Sequence, residues 1–323
     1  MNQCVFVLRE AATAAVPLVV AGVGELVAET AGVINVGIEG LMLIGCIAAY
    51  TAAGASANGY VGVAAAIGAA TLLALVFALA TVWQSANQIV AGTALNLLAF
   101  GVAGTAWQAW QNVRQNANLP LSLPPHTGFN RLNVPWLNHV PWIGAIVFQQ
   151  YGLFYVGFAL AVGAWLALHK TRAGLIVRAL GDAPAACEAV GVRVRLGRTL
   201  CVLFAGACAG LAGAYLSIMR THAYAPEMTG GQGFVVLALV IFGRWSVPGL
   251  CGGCLFFGAI DALQQTLQAQ RATMHSGALR LLEHIPFPFF EMLPYVTALA
   301  ALTILTRASP GPRYLGRPWP ERA

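Results

Sequence analysis

Apolar residues run through this chain in blocks of helix length, and the polar positions between the blocks are sparse. Residues 40–113 contain no Asp, Glu, Lys or Arg. A helix that crosses a bilayer needs about 20 predominantly apolar residues, so this stretch alone accommodates several spans. Apolar length read against the charges places spans at residues 11–23, 33–53, 60–82, 89–110, 151–168, 199–219, 234–242, 249–267 and 288–306. The segment 234–242 is too short to cross without its neighbours. The pattern predicts an all-α fold, a polytopic membrane helical bundle of about eight to ten transmembrane helices, nine by this count.

Composition points the same way, with 59% hydrophobic and 9% charged residues, outside the usage of soluble domains. The formal net charge of +6 raises the question of nucleic acid. The arginines sit beside apolar segments, however, and form no basic stripe interleaved with aromatics, so no nucleic-acid partner is expected. Most of the cysteines, Cys46, Cys201 and Cys208 among them, lie in apolar runs where a thiol acts as a small hydrophobe. Cys251 and Cys254 have CxxC spacing but no second pair or nearby His cluster, which favours close helix packing over a metal shell. The start of the sequence lacks the basic opening and small-residue cleavage pattern of a secretory signal, so the first apolar segment is expected to be retained.

Lysine and arginine in short loops mark the cytoplasmic side. Residues 169–198 carry Lys170, Arg172, Arg178, Arg193, Arg195 and Arg198, and the tail 307–323 carries Arg307, Arg313, Arg317 and Arg322. Both are expected in the cytoplasm, with an even number of crossings between them. The proline-rich stretch 112–142 then falls outside, together with the N-terminus if every early segment crosses fully. One segment leaves this open. Residues 24–40 are rich in glycine and carry Glu25, Glu29 and Glu39, so part of them reads equally as unwound or re-entrant backbone, which would move the N-terminus to the other side. No soluble domain can be separated, and residues 1–323 read as one transmembrane domain.

Candidate chemistry is sparse. A phosphate-cradling GxxxxGK[ST] loop needs a lysine, and the chain's one lysine, Lys170, follows His169 rather than a glycine. Any ATP chemistry must therefore come from a partner, and no cofactor is expected in this chain. No HxxxH pair or catalytic set occurs among the histidines, so an enzyme is not indicated. Ionisable groups inside a membrane are costly and tend to face a bundle interior or a watery path. Glu39 and Asp261 qualify. Glu39 either reaches headgroup water from a helix end or serves a pathway or gate beside Gly37. The amides of Asn35, Gln88 and Asn96 either bond across helices or line a substrate route. Gly206 and Gly210 form a GxxxG packing pair. In residues 178–198, Pro184 can start a short helix with Asp182 near its N-cap, and Gly191 can end it. Ala185, Ala186 and Ala189 would give that helix a small-residue face, resting on the membrane surface or gripped by a partner protein.

Five blocks, GELVAETAGVINVGIEGLMLIG, NQIVAGTALNLLAFG, RALGDAPAACEAVGV, AGACAGLAGAYLS and GFVVLALVIFGRWSVPG, resemble the permease subunits of ATP-binding cassette importers, in the branched-chain amino acid, simple sugar and nucleoside permease family. They lie in family order and cover most of the chain. Sugar permeases of the family usually read like GGIDLSVG where this chain has GVINVGIEG, and the Asn35 to Glu39 version is similar to the nucleoside type. The resemblance implies a bacterial inner-membrane import complex for a small polar solute such as a nucleoside or simple sugar, working by alternating access. Its other parts would be ATPase subunits that use the ATP, a second and different permease, and an extracytoplasmic binding protein or lipoprotein. It also implies that residues 169–198 are the cytoplasmic coupling loop, with Arg178, Asp182, Pro184, Ala185, Ala186 and Gly191 in its ATPase-coupling segment. The spacing from Ala186 to Gly191 departs from the family's EAAxxxG pattern. A rival of another class is an ion-coupled secondary carrier with Glu39 and Asp261 as proton sites.

Overall fold

The computed structural model describes residues 3–124, 127, 129, 150–271, 292, 296 and 311–319. Among them are ten helices and no strands: α1 (Gln3–Thr30), α2 (Ile38–Ser56), α3 (Gly59–Ala78), α4 (Gln88–Asn116), α5 (Gly152–Lys170), α6 (Arg172–Asp182), α7 (Pro184–Ala189), α8 (Val194–Ala214), α9 (Gln232–Phe242) and α10 (Val247–Arg271). Short π turns, Leu79–Trp83 and Tyr215–Arg220, extend α3 and α8. Seven helices are long and apolar enough to span a bilayer: α1 to α5, α8 and α10. The short seventh segment expected is α9, whose 11 residues cover about 16 Å at 1.5 Å per residue, roughly half of a hydrocarbon layer. The ninth expected span, 288–306, lies outside the described residues apart from positions 292 and 296.

The helices sort by what they bury. In α1 and α2, Val20, Val23, Leu26, Ile38, Leu41 and Met42 are all fully enclosed. By contrast α3, α4 and α5 bury one stripe of small residues and turn Leu72, Leu97 and Phe158 outward, as helices facing lipid can. α8 is central too, because glycine lets it approach its neighbours at backbone distance. A Cβ on Gly206 would meet Ala74 of α3, one on Gly210 would meet the Ala66 carbonyl, and one on Gly45 of α2 would stand 2.7 Å from the Gly210 oxygen. The GxxxG pair is a packing device here.

The basic loop and the tail occupy one face. The Thr30 end of α1 lies against Gly181 at the end of α6. Tail residues return to the same place, with Tyr314 N donating to Gly181 O at 2.8 Å and Arg313 N to the Asp182 carboxylate at 3.2 Å. Loop and tail are therefore on the same side, as their charges require, and the Gln3 end of α1 is opposite. Thr171 caps α6 by accepting from Gly174 N at 3.1 Å. Asp182 is the last residue of α6 and stands next to Ala183, the N-cap of α7, which Pro184 follows in the first turn. Gly191, with φ +83°, stops the chain after α7 as expected.

Candidate functional site

Helix α1 ends in a Schellman closure. Val33 N donates to Ala28 O at 3.0 Å and Gly32 N to Glu29 O at 2.9 Å, around a Gly32 held at φ +92°, which a side chain would resist. From there to Ile38 the backbone is non-helical, although it lies in the protein interior. Such backbone is tolerated at membrane depth only where its polar groups find partners inside the protein.

Side chains from two helices, α1 and α4, and from the segment itself supply those partners. Ile34 N donates to Gln88 Oε1 at 2.8 Å, Asn35 N to Glu25 Oε1 at 2.9 Å, and Gly37 N to the Asn35 side chain at 3.0 Å. Asn96 bridges the last step. Its oxygen accepts from Gly40 N at 2.8 Å and its amide nitrogen donates to Val36 O at 3.0 Å. Gly37 and Gly92 let α4 come this close, since a Cβ on Gly92 would stand 2.8 Å from Gly37 N. Asn35, Gly37, Gln88 and Asn96, singled out separately in the sequence, thus converge on one interrupted segment.

Glu39 belongs to the same place but does something else. It sits in the first turn of α2, 2% exposed, and its two oxygens accept from Gly231 N at 2.8 Å and Gly233 N at 2.6 Å. Those amides open α9. One buried carboxylate therefore lies where two helices begin, the end of a helix that favours negative charge. The fit is tight: a Cβ on Gly233 would stand 2.6 Å from the Glu39 backbone nitrogen.

Gln232, between those two amides, also lines a cavity of about 500 Å³ with Thr13, Thr221, Arg220, Asp261 and Gln265. Asp261 accepts from Arg220 at 3.2 Å and from Gln265 Nε2 at 2.9 Å. It is a partnered acid on the cavity wall, away from the interrupted segment.

A scan of family models matches residues 7–302 to the permease component of branched-chain amino acid transport systems. The chain belongs to that family. Its relatives include the guanosine ABC transporter permease NupQ of Bacillus subtilis, 31% identical over 94% of this chain and 93% of that one. The nucleoside ABC transporter permease NupC of Lactococcus lactis is 31% identical over 92% of this chain and 91% of its own length. TsgC13 of Haloferax volcanii, carried as a candidate glucose ABC transporter permease, is 30% identical over 94% and 92%. No solved structure matches the chain significantly.

In this permease the loop residues form a second, separate group. Pro184 and Cys187 of α7 face inward, Cys187 into a small cluster with Ala31, Leu180, Val194 and Cys201. Burial pushes the Cys187 thiol above its ordinary range, against the opposing pull of Arg198. Ala185, Ala186, Ala189 and Val190 face outward, Val190 at 78% exposure. Arg178 and Asp182 are exposed on the same loop. The small-residue face is therefore presented and the helix beneath it is anchored. Among the described residues no group of three or more His, Cys, Asp and Glu is placed to hold a metal ion.

Three residues of consequence were missed as site members in the sequence. Glu25 serves the interrupted segment, Glu29 accepts from Trp245 Nε1 at 2.6 Å beyond the end of α9, and Arg198 is buried at the loop. The pair of acids four apart in an apolar helix was the available signal for the first two.

Proposed function

We propose that this chain is the membrane-spanning permease subunit of an ATP-binding cassette importer for a nucleoside or simple sugar in the bacterial inner membrane. The observation that carries the reading is Glu39, a carboxylate shared by the first turns of α2 and α9 at a residue bordering the polar cavity. Two short-range hydrogen bonds hold closed a joint between elements that begin inside the protein. A shift of α9 by one bond length breaks both at once, which suits an alternating-access gate.

Other features support a polar cargo. Glu25 Oε2, Asn35 Nδ2, Thr229 Oγ1 and Gln232 Oε1 are buried without a hydrogen-bond partner among the described residues. Buried polar atoms of this kind match the hydroxyl-rich solutes named for the relatives. The power stroke comes from a partner. Ala185, Ala186 and Ala189 form a face on which an ATPase subunit docks, and Arg178, Asp182, Pro184 and Gly191 shape and hold the loop around it. A second, different permease and an extracytoplasmic binding protein or lipoprotein complete the complex, and ATP is bound by the partner, not by this chain.

The decisive experiment is uptake of labelled guanosine and glucose into proteoliposomes containing the complete complex of this chain, the second permease, the ATPase and the binding protein, or this chain alone under a proton gradient. ATP-dependent uptake by the complex alone is expected, and Ala186→Arg should abolish it while leaving the chain folded. Accumulation by the lone chain would overturn the reading in favour of a secondary carrier.

A further inference from the structure

The tail residues 311–319 touch both groups described above, and they touch them through backbone. Tyr314 N donates to Gly181 O, at the end of α6, at 2.8 Å. Two residues later Gly316 N donates to Gly32 O, at the closure that starts the interrupted segment, at 3.1 Å. A Cβ on Gly316 would stand 3.3 Å from Ile34, the next side chain but one in that segment. The far end of the tail is fixed to α7, where Trp319 Nε1 donates to Glu188 Oε1 at 2.7 Å and packs on the cluster around Leu180 and Cys187. The near end is fixed as well. Gly311 packs on the Trp245 ring, and Trp245 holds Glu29 just below the α9 end.

One side chain pins this arrangement. Arg198 in the first turns of α8 is 2% exposed; its Nη1 donates to Arg317 O at 2.9 Å and its Nη2 to Leu180 O at 3.1 Å. Gly32 lies against it, since a Cβ there would stand 2.8 Å from Nη2. An arginine is suited to this because its planar fork can serve two carbonyls at fixed angles. The loop helices, the tail and the start of the interrupted segment thus meet at one guanidinium.

We propose that the C-terminal tail is the connecting rod of the permease: displacement of the loop helices reaches the α1–α2 break through Tyr314 to Gly316, and Arg198 is the positioning residue that keeps the rod engaged. The inference rests on the importer reading for its transport consequence, but its mechanical content does not. A physical link between two sites requires that loosening one change the other, not merely that residues lie between them.

Two measurements separate these layers. In the purified chain, amide hydrogen exchange is compared for wild type, Arg198→Gln, Arg198→Lys and a chain ending at residue 310. Loss of the pin should speed exchange at Ile34 and Asn35 by roughly tenfold, although those amides are bonded to Gln88 and Glu25 and not to the tail. Arg198→Lys should recover part of the protection. Faster exchange confined to residues 314–317 would overturn the proposal, because the tail would then be only a local brace. In proteoliposomes of the complex, the same variants should lose uptake roughly tenfold while ATP hydrolysis and co-purification of the ATPase persist. Equal loss of both activities, or normal uptake from the shortened chain, would also overturn it. Failure of the wild-type complex to couple ATP to uptake would count against the importer reading alone, and the exchange result would still decide the linkage.

Discussion

Glu39 and Asp261 are both acids within apolar helices, yet they are stabilised in different ways. Glu39 answers backbone amides only, Gly231 N and Gly233 N, and is almost fully enclosed. Asp261 answers side chains, Arg220 and Gln265, at the wall of an open cavity. The first acid positions secondary structure and has no other partner among the described residues; the second neutralises a charge that solvent can also reach. A carboxylate in a membrane helix thus has its consequences set by whether its donors can move independently of it.

The contrast can be broken most directly at Glu39. Glu39→Leu leaves the buried Gly233 amide, at about 1 to 3 kcal/mol, and the part-buried Gly231 amide without an acceptor, and should lower the unfolding midpoint in detergent and abolish transport. Glu39→Gln keeps the shape and offers one oxygen, so uptake should fall by at least tenfold while the yield of folded protein stays near wild type. Normal uptake by Glu39→Gln would remove Glu39 from the gate.

Asn96→Leu is the next largest. It unbinds Gly40 N and Val36 O together, so about 2 kcal/mol of stability should be lost, read as a lower thermal midpoint with the same helix content by circular dichroism. An unchanged midpoint would mean that the interrupted segment is not held by this side chain. The smallest effect is expected from Asp261→Asn, since a partly exposed ion pair contributes about 0 to 1 kcal/mol. A loss of stability as large as that of Glu39→Leu would erase the distinction between the two acids.

The bundle was legible because apolar length alone identifies spans, and the positions found by that rule overlap the helices from α1 to α5, α8 and α10. The extent of α1 was not, because Glu25 and Glu29 lowered the apparent apolarity of a helix that continues to Thr30. Their compensation comes from Asn35 and Trp245, the latter more than 200 positions away, and no local pattern encodes it. The residues around the break were legible for a related reason. Polar amides and glycines are rare enough in spans that Asn35, Gly37, Gln88 and Asn96 stood out individually, while their convergence needed the tertiary fold. Asp182 was legible as a residue near the start of α7, but that it also ends α6, with its carboxylate accepting from a tail amide, needed the tertiary fold.

The shortness of α9 has a consequence for how the molecule is made. A segment of 11 residues has too little apolar surface to leave the insertion machinery for lipid on its own, and the carboxylate that receives its first turn was synthesised some 190 residues earlier. Membrane insertion of this stretch must therefore wait for α1 and α2 to be already assembled, so biogenesis proceeds in an obligatory order, with the polar joint closed late.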